Sequence, residues 1–208
     1  MYWEIKEMSL KLFIKPKRID LKNSAIVGGR HYSDMYIYIL GYYEAAKRLA
    51  DSALNEGFQD ALFYPMCFNY RHYLELSLKN LIINCENYYS ILEKWGEAKG
   101  ILKKTVKDRL TKTHSLARLL SWFKERFDLV SDETFDKSVY KIIIDFHNFD
   151  RKGQCFRYPL KIDGSLSFSI ENIYDIKNIK DKMEKVSNYL DAVDTWITEN
   201  EMNAKSIF

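Results

Sequence analysis

Proline is scarce in this chain, with three in 208 residues, alongside only eight glycines and three cysteines. So few breakers leave most of the length free to form helices. Cys67, Cys85 and Cys155 are odd in number and form no CxxC pair. That argues against a cysteine-built zinc site and for reduced thiols in a cytoplasmic protein. No apolar run approaches the roughly 20 residues needed to span a bilayer. The start, MYWEIKEMSLKLF, carries charges throughout and does not read as a signal peptide. A formal charge of +3 falls short of the clustered excess of a dedicated nucleic-acid binder. Walker loops, dinucleotide glycine fingerprints, GxSxG and HExxH are all absent, as are internal repeats and low-complexity tracts.

Aromatic residues are abundant, with 15 Tyr and 12 Phe. An aromatic-rich core is the ordinary reading and base stacking the alternative. Residues 64–84 are the most informative stretch. Phe63, Met66, Tyr70, Leu74, Leu78 and Leu81 recur at helical spacing. Arg71, Glu75 and Lys79 follow one another at steps of four as a second stripe, with His72 beside its start. Two readings are open for this stripe. It is either an ion-pair ladder on a solvated face or a set of groups turned into a cleft to receive phosphate or a nucleobase.

The remaining pattern predicts an all-α domain over residues 33–208 after an N-terminal extension of 1–32, read as a short strand or helix and then a loop. A helix capped at Ser33 or Asp34 keeps Tyr36, Ile39, Tyr43, Ala46 and Ala53 on one face and ends at Gly57. Pro65 suits the first turn of the next helix, which runs to about residue 84. Residues 86–110 read as one or two short helices. Thr113 caps a helix from about His114, and another begins near Asp132. Asp163-Gly164 signals a small two-stranded hairpin, and residues 176–200 form a long amphipathic helix. The sum is four to five main helices with a β-hairpin between the last two.

Three pieces stand in a telling order: YRHYLELSLK at residues 70–79, Thr113-His114-Ser115-Leu116 with Leu119, and Phe156-Arg157-Tyr158-Pro159. In that order, on a helical background, they resemble HEPN domains, the helical modules often encoded beside prokaryotic nucleotidyltransferases. The resemblance covers roughly residues 33–200. It implies a helical bundle that self-associates as a homodimer and is linked to RNA. Many such domains act as metal-independent endoribonucleases in toxin–antitoxin, CRISPR or phage-defence systems, through an Arg followed by a His with four to six residues between them. Arg109 and His114 meet that spacing, although Leu110 follows Arg109 where a polar residue is usual.

The chemistry implied is attack of a ribose 2′-hydroxyl on the adjacent phosphate. His72 or His114 would be the base, with Arg71, Arg109 or Arg157 holding phosphate. Glu75, Lys79, Arg157 and Tyr158 would bind the nucleotide or RNA. No metal or cofactor enters this scheme. Blander roles stand beside these: His114 in helix capping, and Arg157 and Tyr158 bracing the hairpin. Asp145, His147 and Asp150 match no metal-ligand spacing. Lys103, Lys104, Lys107, Arg109 and Lys112 form a basic cluster able to meet a nucleic-acid backbone. A non-catalytic module binding a nucleotide or a partner protein is the competing functional class.

Overall fold

The computed structural model describes residues 12–13, 22–27, 35–168 and 170–207. Met35–Phe208 forms one compact unit, and of Met1–Asp34 only a bend at residues 12–13 and a turn at 22–23 with the few residues after it are described. The secondary structure expected for residues 1–32 therefore lies largely outside the described residues.

Six helices follow in order: α1 (Met35–Glu56), α2 (Gln59–Lys94), α3 (Lys107–Leu110), α4 (Leu116–Val130), α5 (Lys137–Phe149) and α6 (Ile176–Ile207). Gly57 (φ 96°) and Phe58 (φ 62°) turn the chain between α1 and α2 through left-handed conformations. Ala46, Ala50 and Ala53, all fully buried, give α1 a small-residue seam where it packs on α2. Helix α2 also packs against α4 and α6, and α5 lies on α4 and α6. Being surrounded on several sides, α2 buries Tyr70, Leu74 and Leu78 along with Arg71, Glu75, Lys79 and Glu86.

Three polar ties fix α6. Lys180 hydrogen-bonds to Asp51 of α1. Asn80 and Asn84 of α2 both donate to Asp194 Oδ1, at 3.0 and 2.8 Å. The Tyr189 hydroxyl accepts the backbone N–H of Asp136 at 3.0 Å, just before α5. No helix among the described residues is long and apolar enough to cross a membrane.

The all-α expectation holds, and several boundaries move. Helix α2 runs past residue 84 to Lys94, because Tyr88, Tyr89 and Leu92 continue its buried face. Pro65 sits inside α2, six residues beyond its start. The residue whose carbonyl loses its partner, Ala61, is exposed, so water can replace the missing N–H. Ser115, not Thr113, caps α4, and the Thr113 hydroxyl instead donates back to the Arg109 carbonyl at 2.9 Å. Helix α5 starts at Lys137, later than the expected start near Asp132, and Asp136 caps it, accepting from the N–H groups of Ser138 and Val139. The expected hairpin reduces to one antiparallel bridge, Leu160 with Leu166, closed over Asp163-Gly164; no strand occurs among the described residues.

Candidate functional site

The stripe on α2 is buried. The expected i,i+4 ladder forms, but Arg71, Glu75 and Lys79 are 4, 3 and 7% exposed, so its face is buried and not solvated: α4 and the turn after α5 cover it. Glu75 is the hub. Its Oε2 accepts from Arg71 Nη1 at 3.2 Å, and its Oε1 accepts from Lys79 Nζ at 2.6 Å and contacts His114 Nδ1 at 2.9 Å. Burial by itself would raise the Glu75 pKa. Hydrogen bonds and charge from Lys79, and then from His114, outweigh burial and hold it below the ordinary value.

Arg71 spends its other donors on internal acceptors. Nη2 donates to the His114 carbonyl at 2.6 Å and Nε to the Asp150 carbonyl at 3.3 Å, with Asp150 Oδ2 at 3.5 Å. The buried charges thus balance: two cations, Arg71 and Lys79, against two carboxylates, Glu75 and Asp150. Asp150 also accepts the N–H groups of Gln154 and Cys155 on Oδ1, at 2.8 and 3.3 Å, which shapes the turn after α5.

His114 stands two residues before the first residue of α4, with its side chain 63% exposed. It does not cap the helix. An ionised carboxylate can only accept, so the contact with Glu75 places the proton on Nδ1 and leaves the Nε2 lone pair as the ring's second function. His72, one turn before Glu75, is wedged between aromatic rings: stacked on Phe68 at 6.0 Å and meeting Tyr42 edge-on at 4.3 Å. Burial, reinforced by the charges of Lys79, Arg71 and His114 and opposed by Glu75, pulls its pKa down.

Arg157 reaches the same neighbourhood from the turn after α5. Its Nε donates to the Gly153 carbonyl at 2.9 Å, and its guanidinium lies over the rings of Phe68 and Tyr158 at 5.9 and 5.5 Å. Its Nη groups have no acceptor among the described residues, and Tyr158 is exposed. His114, His72, Arg157 and Tyr158 therefore flank one buried ion cluster, with Phe68 between His72 and Arg157. Arg109 does not join them. It is exposed and lines a separate cavity beside Trp122, so the Arg109–His114 spacing does not assemble a pair within the chain. No group of three or more His, Cys, Asp or Glu side chains suited to a metal occurs among the described residues.

Sequence reasoning missed two things. One is the role of Asp150 and Gly153 in seating Arg71, contacts across some 80 residues that no local pattern encodes. The other is a second buried pair. Arg126 of α4 donates from Nε to Glu86 Oε1 at 2.8 Å, and Glu86 also accepts the Val106 N–H at 3.1 Å and the Thr105 hydroxyl. A signal for it was present, since Arg126 shares the helical phase of Phe123, Phe127 and Val130 on the apolar face of α4. No family model, curated protein or solved structure was found to match this chain.

Proposed function

We propose that this chain is a HEPN-like helical module, cytoplasmic and self-associating as a homodimer, that binds and cleaves RNA in phage defence or a toxin–antitoxin pair. The observation that carries the reading is the Glu75–His114 contact: a buried carboxylate fixes the tautomer of an exposed imidazole and turns its basic nitrogen outward. Lys79 and Arg71 hold Glu75 in place. Phe68, His72, Arg157 and Tyr158 add ring faces and a guanidinium with free donors, the groups that stack on unpaired bases and bind phosphate.

In this scheme His114 Nε2 takes the 2′-hydroxyl proton. The 2′-oxygen bonds to phosphorus as the bond to the 5′-oxygen breaks, and the 5′-oxygen leaves with a proton taken from solvent water. The products are a 2′,3′-cyclic phosphate and a 5′-hydroxyl end, without a metal. Arg157 holds the phosphate and Tyr158 a base. The test is purified protein with mixed RNA in EDTA. Wild-type protein cleaves to cyclic-phosphate ends, His114→Ala slows the reaction by about 10²–10⁴-fold, and His72→Ala reduces it less. Cleavage that survives both substitutions refutes the assignment.

A second reading, a non-catalytic module that binds a nucleotide or partner protein, is favoured by one specific observation. Each Arg71 nitrogen donates to an internal acceptor and Arg109 lies elsewhere, so among the described residues no arginine hydrogen-bonds to the His114 ring. RNA or nucleotide binding without cleavage, weakened by Arg157→Ala, would select it.

A further inference from the structure

Residues 95–106 hold no regular secondary structure, yet the segment is pinned from beneath at several points. The Tyr89 hydroxyl of α2 donates to the Gly100 carbonyl at 2.7 Å and accepts the Leu102 N–H at 3.0 Å. Glu86 takes the Val106 N–H and the Thr105 hydroxyl. Arg126 of α4 donates to the Lys104 carbonyl at 2.7 Å while paired with Glu86. A buried ion pair is a costly way to hold an irregular loop unless what the loop presents is used.

What it presents is a cavity of about 540 Å³ between the loop and α4, within the roughly 300–1,000 Å³ of small-ligand sites. Lys103, Lys104 and Arg109 line it, and none of the three has an acidic partner among the described residues. Arg126, at the base, is neutralised by Glu86, and Glu125 is the one acid among the described lining residues. Three unpaired cations against one carboxylate leave an excess of two positive charges. Trp122, partly buried against the core and with its carbonyl tied to Arg126 at 3.0 Å, is the aromatic residue of the described lining. Ile101, Leu102 and Leu129 supply apolar surface.

We infer that this cavity is a nucleotide site, separate from the His114 cluster. The base would lie against Trp122, and the 5′-phosphate would be met by Lys103, Lys104 and Arg109. An aromatic wall beside unpaired cations matches a ligand that is planar at one end and anionic at the other. The same chemistry is offered by a free mononucleotide and by the 5′-phosphorylated end of an RNA strand.

Calorimetric titration of the full chain with AMP, adenosine, inorganic phosphate, and short RNA with or without a 5′-phosphate tests this. AMP should bind at least about tenfold more tightly than adenosine or phosphate, because each carries only one of the two contacts. Lys103→Glu/Lys104→Glu, both exposed and so harmless to folding, should weaken AMP about tenfold or more. Trp122→Leu, checked by thermal melting, should abolish the preference for AMP over phosphate. His114→Ala should bind AMP as wild type does, which separates this site from the RNA-cleavage reading. Tight binding only by 5′-phosphorylated RNA, lost in the double glutamate variant, identifies the strand end as the source. Equal binding of AMP and adenosine, or AMP and 5′-phosphorylated RNA affinities unchanged by Lys103→Glu/Lys104→Glu, overturns the proposal.

Discussion

The backbone of Gly153 lies against the face of the Arg71 guanidinium: a methyl at the Cβ position would stand 2.9 Å from Cζ and 3.1 Å from each Nη. No side chain fits there without moving the cation that Glu75, Asp150 and the His114 carbonyl share. Gly153 also takes φ 69°, a left-handed conformation that disfavours other residues.

Gly153→Ala should therefore carry two penalties, about 1 kcal/mol of backbone strain plus roughly 1–3 kcal/mol of overpacking. Gly164→Ala is the control. It has φ 81° but open space around the added carbon, so only the first penalty applies. Urea unfolding of both variants should rank Gly153→Ala as clearly the less stable. Equal losses would mean that Arg71 moves aside freely.

Glu75→Gln removes the carboxylate common to Arg71, Lys79 and His114 and should destabilise the fold by about 3–5 kcal/mol near neutral pH. The pH dependence follows from the sign of the shift. The native pKa of Glu75 is below its ordinary value of 4.5, so its contribution is fully present above that pH. It is lost as pH falls through the lowered native value. The stability gap between wild type and Glu75→Gln, read from unfolding midpoints, should be widest above pH 4.5 and shrink below it. A gap that stays constant into acid would show that charge is not what Glu75 supplies.

His72 titrates in the opposite chemical sense but leads to the same acid lability. Its native pKa lies below the ordinary 6.5 because burial disfavours the imidazolium. Stability tied to the neutral ring is complete above 6.5 and declines as pH drops further. His72→Phe keeps a ring against Phe68 and Tyr42, so at pH 8 it should lie within about 1.5 kcal/mol of wild type. Between pH 6.5 and 5 it should lose stability less steeply. His147, also lowered by burial, leaves part of the slope in place.

Helical periodicity made α1, most of α2, α4, α5 and α6 readable in advance, because each presents an apolar stripe of period 3.6. The wheel could not say that α2 is covered on several sides, and so it left Arg71, Glu75 and Lys79 undecided between water and interior. Burial there is decided by neighbours far along the chain. Ser115 caps α4 where Thr113 was expected to, since neighbouring short polar residues all satisfy the local rule. The hydroxyl of Thr113 is spent on the Arg109 carbonyl, a choice that only the turn geometry reveals.

The Glu86–Arg126 pair allows charge to be separated from hydrogen-bond acceptance. Glu86→Gln keeps an oxygen for the Val106 N–H and for Arg126 Nε but removes the negative charge, so the buried Arg126 guanidinium faces only neutral acceptors and the exposed Glu125. It should cost about 3–5 kcal/mol while Val106 stays protected from amide exchange in the folded state. Glu86→Leu removes the acceptor as well, so the Val106 amide should exchange through local opening, faster than global unfolding permits. Glu86→Leu combined with Arg126→Met replaces the pair by apolar groups and should recover part of the stability lost by either change alone. The freed Val106 amide should nevertheless remain fast-exchanging, because stability restored through α2 and α4 does not recreate the bond that fixes the loop. If Val106 exchanges slowly in that double variant, the loop is held by packing and the ion pair is not its anchor.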